Sequence, residues 1–189
     1  FHRVQSMRNQ LRSVIIKSWS ESMERDYARQ RINSERSLQA SLWGKLNEAI
    51  GPKRRMFIEP GISYQENGIR KQIFPDIVIC NTREVVAVIE LKYHPKILRP
   101  FTKDLQSLNA ISKHRSTINL RNSRFKGLEC DSMNYPCSQQ ILFVWAGVHR
   151  GAYDEINRPA LKFEHLKGCF LELHAETKKS SSPEIYYYA

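Results

Sequence analysis

Two short apolar runs separated by four polar residues limit this chain more than any other feature. Residues 73–80 are nearly all apolar once past Pro75-Asp76, and residues 85–91 are apolar except for Glu90. Asn81-Thr82-Arg83-Glu84 between them suits a hairpin connection. Both runs are short, rich in β-branched residues and bounded by turn formers, which favours buried strands over a buried helix. Side chains alternate across a strand, so Glu90 and Lys92 point to one face. Asp76 opens the neighbouring strand, and a hairpin brings it alongside Glu90. A charge inside a buried strand is costly unless it is paired or bound to a metal. Two carboxylates and one ammonium in a small volume suit a divalent cation such as Mg²⁺, which takes hard oxygen ligands together with water and phosphate. A lysine beside such an ion can hold a water or steady developing negative charge.

Pro75-Asp76, thirteen intervening residues and then Glu90-Leu91-Lys92 resemble the PD-(D/E)XK signature of restriction-endonuclease-like nucleases. The resemblance implies an α/β fold, a restriction-endonuclease-like mixed β-sheet flanked by helices. It also implies a Mg²⁺-dependent deoxyribonuclease, a hydrolase of DNA phosphodiester bonds in which Mn²⁺ substitutes for Mg²⁺. Asp76 and Glu90 would hold the metal with the backbone carbonyl of Leu91, and Lys92 would orient and activate the attacking water. Nucleases of this kind often carry a further glutamate on the helix before the core sheet.

That helix is expected over residues 35–50. Asn33-Ser34 is a start signal, Gly51-Pro52 a stop, and Leu38, Leu42, Leu46, Ala49 and Ile50 form its apolar stripe. At about 100° per residue, Glu35 falls within that stripe and Glu48 opposite it. Glu35 either serves only the helix dipole from the first turn or points past the helix end towards Asp76 and Glu90. The resemblance favours the second reading, with Glu35 acting in catalysis and on the metal directly, through water, or by holding a second ion.

Thirty Lys and Arg against nineteen Asp and Glu give a net charge of +11. Such an excess points to a polyanionic partner, for which the resemblance implies DNA. It is concentrated directly after the motif: residues 92–126 hold nine Lys or Arg and one acid, Asp104. Lys96, Arg99, Lys103, Gln106, Lys113 and Arg115 are the candidate nucleic-acid contacts. The last four lie on or beside a helix expected from residues 100–102 to 115, with Leu105, Leu108 and Ile111 facing inward.

Val4, Met7, Leu11, Val14, Ile15, Trp19, Met23 and Tyr27 recur at helical spacing, so residues 4–27 read as one amphipathic helix. Residues 1–33 are taken as an N-terminal helical extension and 34–189 as one nuclease domain. Residues 56–64 read as the first core strand, with Glu59 at its kink either contributing to the site or facing solvent. Residues 65–72 read as a turn and 116–138 as a polar, basic loop that helps grip the substrate. Residues 140–148 and 170–174 read as strands, 180–183 as a turn and 185–188 as an edge strand. The element order over residues 35–148 is the core order of the restriction-endonuclease-like fold.

The four cysteines show no CxxC spacing, so reduced thiols are expected. No apolar run approaches the roughly 18 residues of a membrane span, so no membrane partner is expected. The first residues show no secretory core, and a cytoplasmic, nucleic-acid-associated protein is the expectation. Many enzymes of this kind work as homodimers or in larger complexes, because cutting two strands needs two sites. Two rival readings stand beside the nuclease: a catalytically silent nucleic-acid-binding module with the same fold, and an assembly domain in which Asp76, Glu90 and Lys92 form a buried ion-pair network.

Overall fold

A computed structural model describes residues 2–97, 100–151, 158–178 and 182–189. Helix α1 (His2–Glu21) runs on into a π-helical turn, Ser22–Tyr27. Helix α2 (Glu35–Ala49) starts at Ser34, whose hydroxyl accepts from the Ser37 N–H while the Ser37 hydroxyl accepts from the Ser34 N–H. This reciprocal cap satisfies donors that a helix start leaves open. Strands β1 (Arg55–Ile58), β2 (Ile62–Glu66), β3 (Ile69–Ile73), β4 (Ile77–Cys80) and β5 (Val85–His94) follow. Then come α3 (Thr102–Lys113), β6 (Asn119–Lys126), the 21-residue β7 (Glu129–His149), β8 (Phe170–Glu176) and β9 (Glu184–Tyr188).

The strands form one large mixed sheet flanked by helices. Its central order is β1-β4-β5-β7-β8-β9, with β5-β7 and β7-β8 parallel and the other neighbours antiparallel. Strand β7 belongs to two neighbourhoods. Its first half pairs with β6, and through β6 reaches the β2-β3 hairpin as a side wing. Its second half lies between β5 and β8. The central strands are covered on both faces, which is why their sequences read as unbroken apolar runs. On one face, Leu11, Ile15 and Trp19 of α1 and Leu38, Leu42 and Leu46 of α2 pack on Ile77, Ile89 and Val144. On the other, Leu105, Leu108 and Ile111 of α3 pack on Val78, Val88 and Phe143. Helix α1, expected as an extension, thus supplies fully buried side chains to the core, Trp19 among them.

Three expectations need correction. Residues 56–64 are not one strand. Glu59 takes a left-handed backbone (φ 47°) and Pro60 cannot donate to a ladder, so β1 and β2 separate there and pair with different partners. Residues 65–72 are mostly strand, and the turn is only Asn67-Gly68, both with positive φ (52° and 76°), as a tight hairpin of this kind requires. Residues 116–138 are not a loop but β6 and the first half of β7. Polar composition suggested loops in both places: β3 is exposed over most of its length, and β6 with the first half of β7 has one wet face that carries polar residues at every second position. The strand expected from residue 73 begins at Ile77. The turn expected at 180–183 falls partly outside the described residues. The cysteines are free, with Cys80, Cys137 and Cys169 buried and Cys130 exposed.

Candidate active site

The corner where β4 and β5 meet the start of α2 and α3 gathers the charges. The hairpin between β4 and β5 is set by Asn81, whose side-chain oxygen accepts from the N–H groups of Arg83 and Glu84 at 2.7 and 2.8 Å. The register that follows pairs Ile77 with Ile89, which places Asp76 beside Glu90. Asp76 is pinned from three directions. Its Oδ2 accepts from the Leu91 N–H at 2.6 Å, and its carbonyl accepts from Gln39 Nε2 at 2.9 Å and the Glu59 N–H at 3.1 Å.

Glu90 is 9% exposed, and its carboxyl lies beside that of Asp76. Burial, followed by the charges of Asp76 and Asp104, pushes the Glu90 carboxyl up to about 9. Burial also pushes Asp76 up to about 6, against the pull of the Leu91 N–H and with a push from Glu35. Two neighbouring carboxylates, one buried and one half-buried, resist joint ionisation unless positive charge is brought in. Leu91 itself points the other way, into the core shared with α1 and α2.

Lys92 lies on the same face as Glu90. Its Nζ is 3.5 Å from Asp104 Oδ1 and 3.8 Å from Glu35 Oε2. Burial works against the Lys92 charge, but Asp104, Glu35 and Asp76 outweigh it and raise the ammonium above its ordinary value. Glu35 therefore faces the site from the first turn of α2, half-exposed and turned to Lys92, while Glu48 is exposed. Among the described residues, no group of three or more His, Cys, Asp or Glu side chains gathers as a metal cage. The site offers Asp76 and Glu90 as its paired oxygens.

Asp104 was not among the candidates, although it is 8% exposed and central here. Its Oδ2 accepts from Trp145 Nε1 at 3.3 Å while Oδ1 faces Lys92. The available signal was helical phase: residues 104, 108 and 111 share a face, and an acid there repeats the anomaly noted at Glu35. Lys96, Lys103, Gln106 and Lys113 are exposed. Arg115 donates instead to the carbonyls of Ser112 and Gln139 and to the Ser112 hydroxyl. Glu59 is exposed, and only its backbone reaches Asp76. Arg99 lies outside the described residues.

The chain matches no family model, no curated protein and no solved structure.

Proposed function

We propose that this chain is a metal-dependent nuclease of the PD-(D/E)XK kind, with a restriction-endonuclease-like core, that hydrolyses phosphodiester bonds of DNA. The observation that carries the reading is the Asp76–Glu90 pair: a half-buried and a buried carboxyl side by side across the β4-β5 register, with Lys92 as their neighbouring cation. Such a pair fits an ion that takes one or two carboxylates and keeps several waters. The run α2, β1, β4, β5, α3, β7, with the β2-β3 hairpin inserted, supports the same reading, because it follows the core order that the motif implies.

In this reading Asp76 and Glu90 hold Mg²⁺ or Mn²⁺, with the Leu91 carbonyl adjacent. The ion, when bound, polarises the scissile phosphate and lowers the pKa of a bound water. Lys92 Nζ donates to the attacking water and stabilises negative charge as it develops on the phosphate. Asp104 and Glu35 keep that ammonium charged and fix its position. The basic segment after β5 holds the DNA backbone by charge.

The test is cleavage of labelled single-stranded, duplex and branched DNA with Mg²⁺, Mn²⁺ or EDTA. Asp76→Asn keeps an oxygen for the Leu91 N–H but lacks the charge, and Lys92→Ala removes the donor. Each is expected to lower metal-dependent cleavage by about 10²-fold or more. Undiminished cleavage by Asp76→Asn would overturn the assignment. Salt-sensitive binding without cutting by the unaltered chain would favour a binding module.

A further inference from the structure

The wing built from β2, β3, β6 and the first half of β7 has two unlike faces. Its inner face carries Ile62, Tyr64, Leu120 and Tyr135, all buried. On the outer face the register sets Ser63 opposite Gln72 and Asn119, and Arg121 opposite Asn134. With Arg70 and Ser132 these residues line a cleft of about 580 Å³ that begins at Gly61. Polarity is expected of an outer face, but the charge is one-sided. An ordinary solvated surface mixes both signs, whereas the described residues that line this cleft include two arginines and no carboxylate. Arg70 donates to Ser63 Oγ at 3.4 Å and Arg121 to Ser132 Oγ at 3.1 Å, both neutral partners.

The cleft also begins next to the candidate active site. Glu59, two residues before Gly61, donates its N–H to the Asp76 carbonyl, and Asp76 lies four residues beyond Gln72. Among the described residues no aromatic side chain lines the cleft, so they offer no platform for a splayed base to stack on. Guanidinium, amide and hydroxyl groups are instead the donors that phosphate oxygens accept from.

We infer that this face grips the phosphate backbone of duplex DNA beside the scissile bond, with Arg70 and Arg121 as its charged contacts. The position of the scissile bond rests on the nuclease reading, but the grip itself is tested without cleavage. Binding of the full chain to a labelled duplex is followed by fluorescence anisotropy in EDTA across a salt series. The double variant Arg70→Gln/Arg121→Gln is compared with Arg29→Gln/Lys53→Gln, which removes the same charge from exposed positions elsewhere. Two lost phosphate contacts should flatten the slope of log affinity against log salt by about 1.8 and weaken binding by about tenfold or more at low salt.

The control pair should leave the slope nearly unchanged. An unaltered slope in the arginine variant, or an equal change in the control, overturns the inference. So does tighter, arginine-dependent binding of a single strand or of RNA with the same sequence. Should the double variant lower the melting temperature, the single variants at these two exposed positions carry the comparison at about half the slope change. Failure of the cleavage assay would overturn the nuclease reading and leave this binding result intact.

Discussion

Glu90 on β5 and Glu172 on β8 occupy one row of the sheet, on either side of Trp145 on β7. Both are buried, at 9% and 1% exposure. Their surroundings differ in kind. Glu172 faces His174 Nε2 at 3.3 Å and Arg158 at 4.0 Å. His174 passes on to His149 at 3.0 Å and stacks on Tyr186 at 4.9 Å, and Arg158 lies 4.8 Å from the Tyr188 ring centre. Burial pushes His149 down to about 4 and also lowers His174. Among the described residues this acid therefore faces a cation, neutral imidazoles and aromatic cover. Around Glu90 the ordering is reversed. Its nearest charges include Asp76 and Asp104, and Lys92 is divided among the acids. Glu172 has a cation and imidazoles facing it, whereas Glu90 shares one lysine with several acids, an arrangement that suits protons or a cation from outside.

Exchanging the roles of the two glutamates is the strongest way to break this comparison. Glu90→Gln should lower metal-dependent cleavage by about 10² to 10³-fold while leaving the metal-free chain folded, since a neutral side chain already suits that position. Glu172→Ala should leave the cleavage rate of folded protein near its original value. It strands Arg158 and His174, however, and should cost about 3 kcal/mol in denaturant melting. Cleavage lost in Glu172→Ala without loss of stability would mean that the two clusters act as one site.

Gly147 joins the clusters physically. It lies between Lys92 and His174 in the register, and the Trp145 ring folds down over it. A Cβ at 147 would lie 2.2 Å from Trp145 Cη2. The ring is held on its other sides by Phe101, stacked at 4.0 Å, and by Asp104. Gly147→Ala should therefore displace the ring, cost about 1–3 kcal/mol in melting and loosen the Asp104–Lys92 contact. An unchanged melting temperature would show that Trp145 has room to move, and that the clusters are independent.

Proton balance gives a smaller effect with a defined sign. The Glu90 carboxyl rises from 4.5 to about 9 and Asp76 from 3.8 to about 6. Between the ordinary and raised values the folded chain keeps protons that the unfolded chain has released, so stability falls as pH rises through that window. His149, depressed from 6.5 to about 4, acts in the opposite sense below 6.5. Above that point Glu90 dominates, with Cys80 and Cys137, raised from 9.0 to about 12, adding in the same sense towards pH 9. Metal-free protein should thus melt lower as pH climbs from about 7 to about 9, and Glu90→Gln should flatten the slope. Because an ion must displace those protons, stabilisation by Mg²⁺ should grow over the same range. It should reach about 2.7 kcal/mol when Mg²⁺ is in hundredfold excess over its Kd. A slope unchanged by Glu90→Gln would place the proton elsewhere.

The same contrast explains what was legible in the letters. Acids inside apolar strands stand out, so Asp76, Glu90 and Lys92 could be grouped from spacing and alternation alone, and the structure brings them together. Glu172 and His174 passed as ordinary strand residues, because their partners Arg158, His149 and Tyr186 lie on other segments of chain and no local period links them. Strands β4 and β5 and the second half of β7 were legible because both of their faces are buried. The wing was not, because its wet face interrupts the apolar signal at every second residue. Gly147 carried no signal at all until the Trp145 ring was seen to lie across it.

Asp104 offers the finest adjustment. It and Glu35 both face Lys92, but the Asp104 side chain is 10% exposed and that of Glu35 is 43% exposed. Solvent screens the second more than the first, so Asp104 should be the main support of the lysine's charge. Asp104→Asn keeps an oxygen for Trp145 Nε1 and removes the attraction to Nζ. Cleavage near neutral pH should change only a few-fold, since the lysine stays protonated there. The alkaline limb of the pH–rate profile should move down as the Lys92 pKa falls. Glu35→Gln should move it less. If Glu35→Gln moves that limb further than Asp104→Asn, the lysine is anchored from α2 rather than α3. The acid on the helix before the sheet would then be the one that tunes the site.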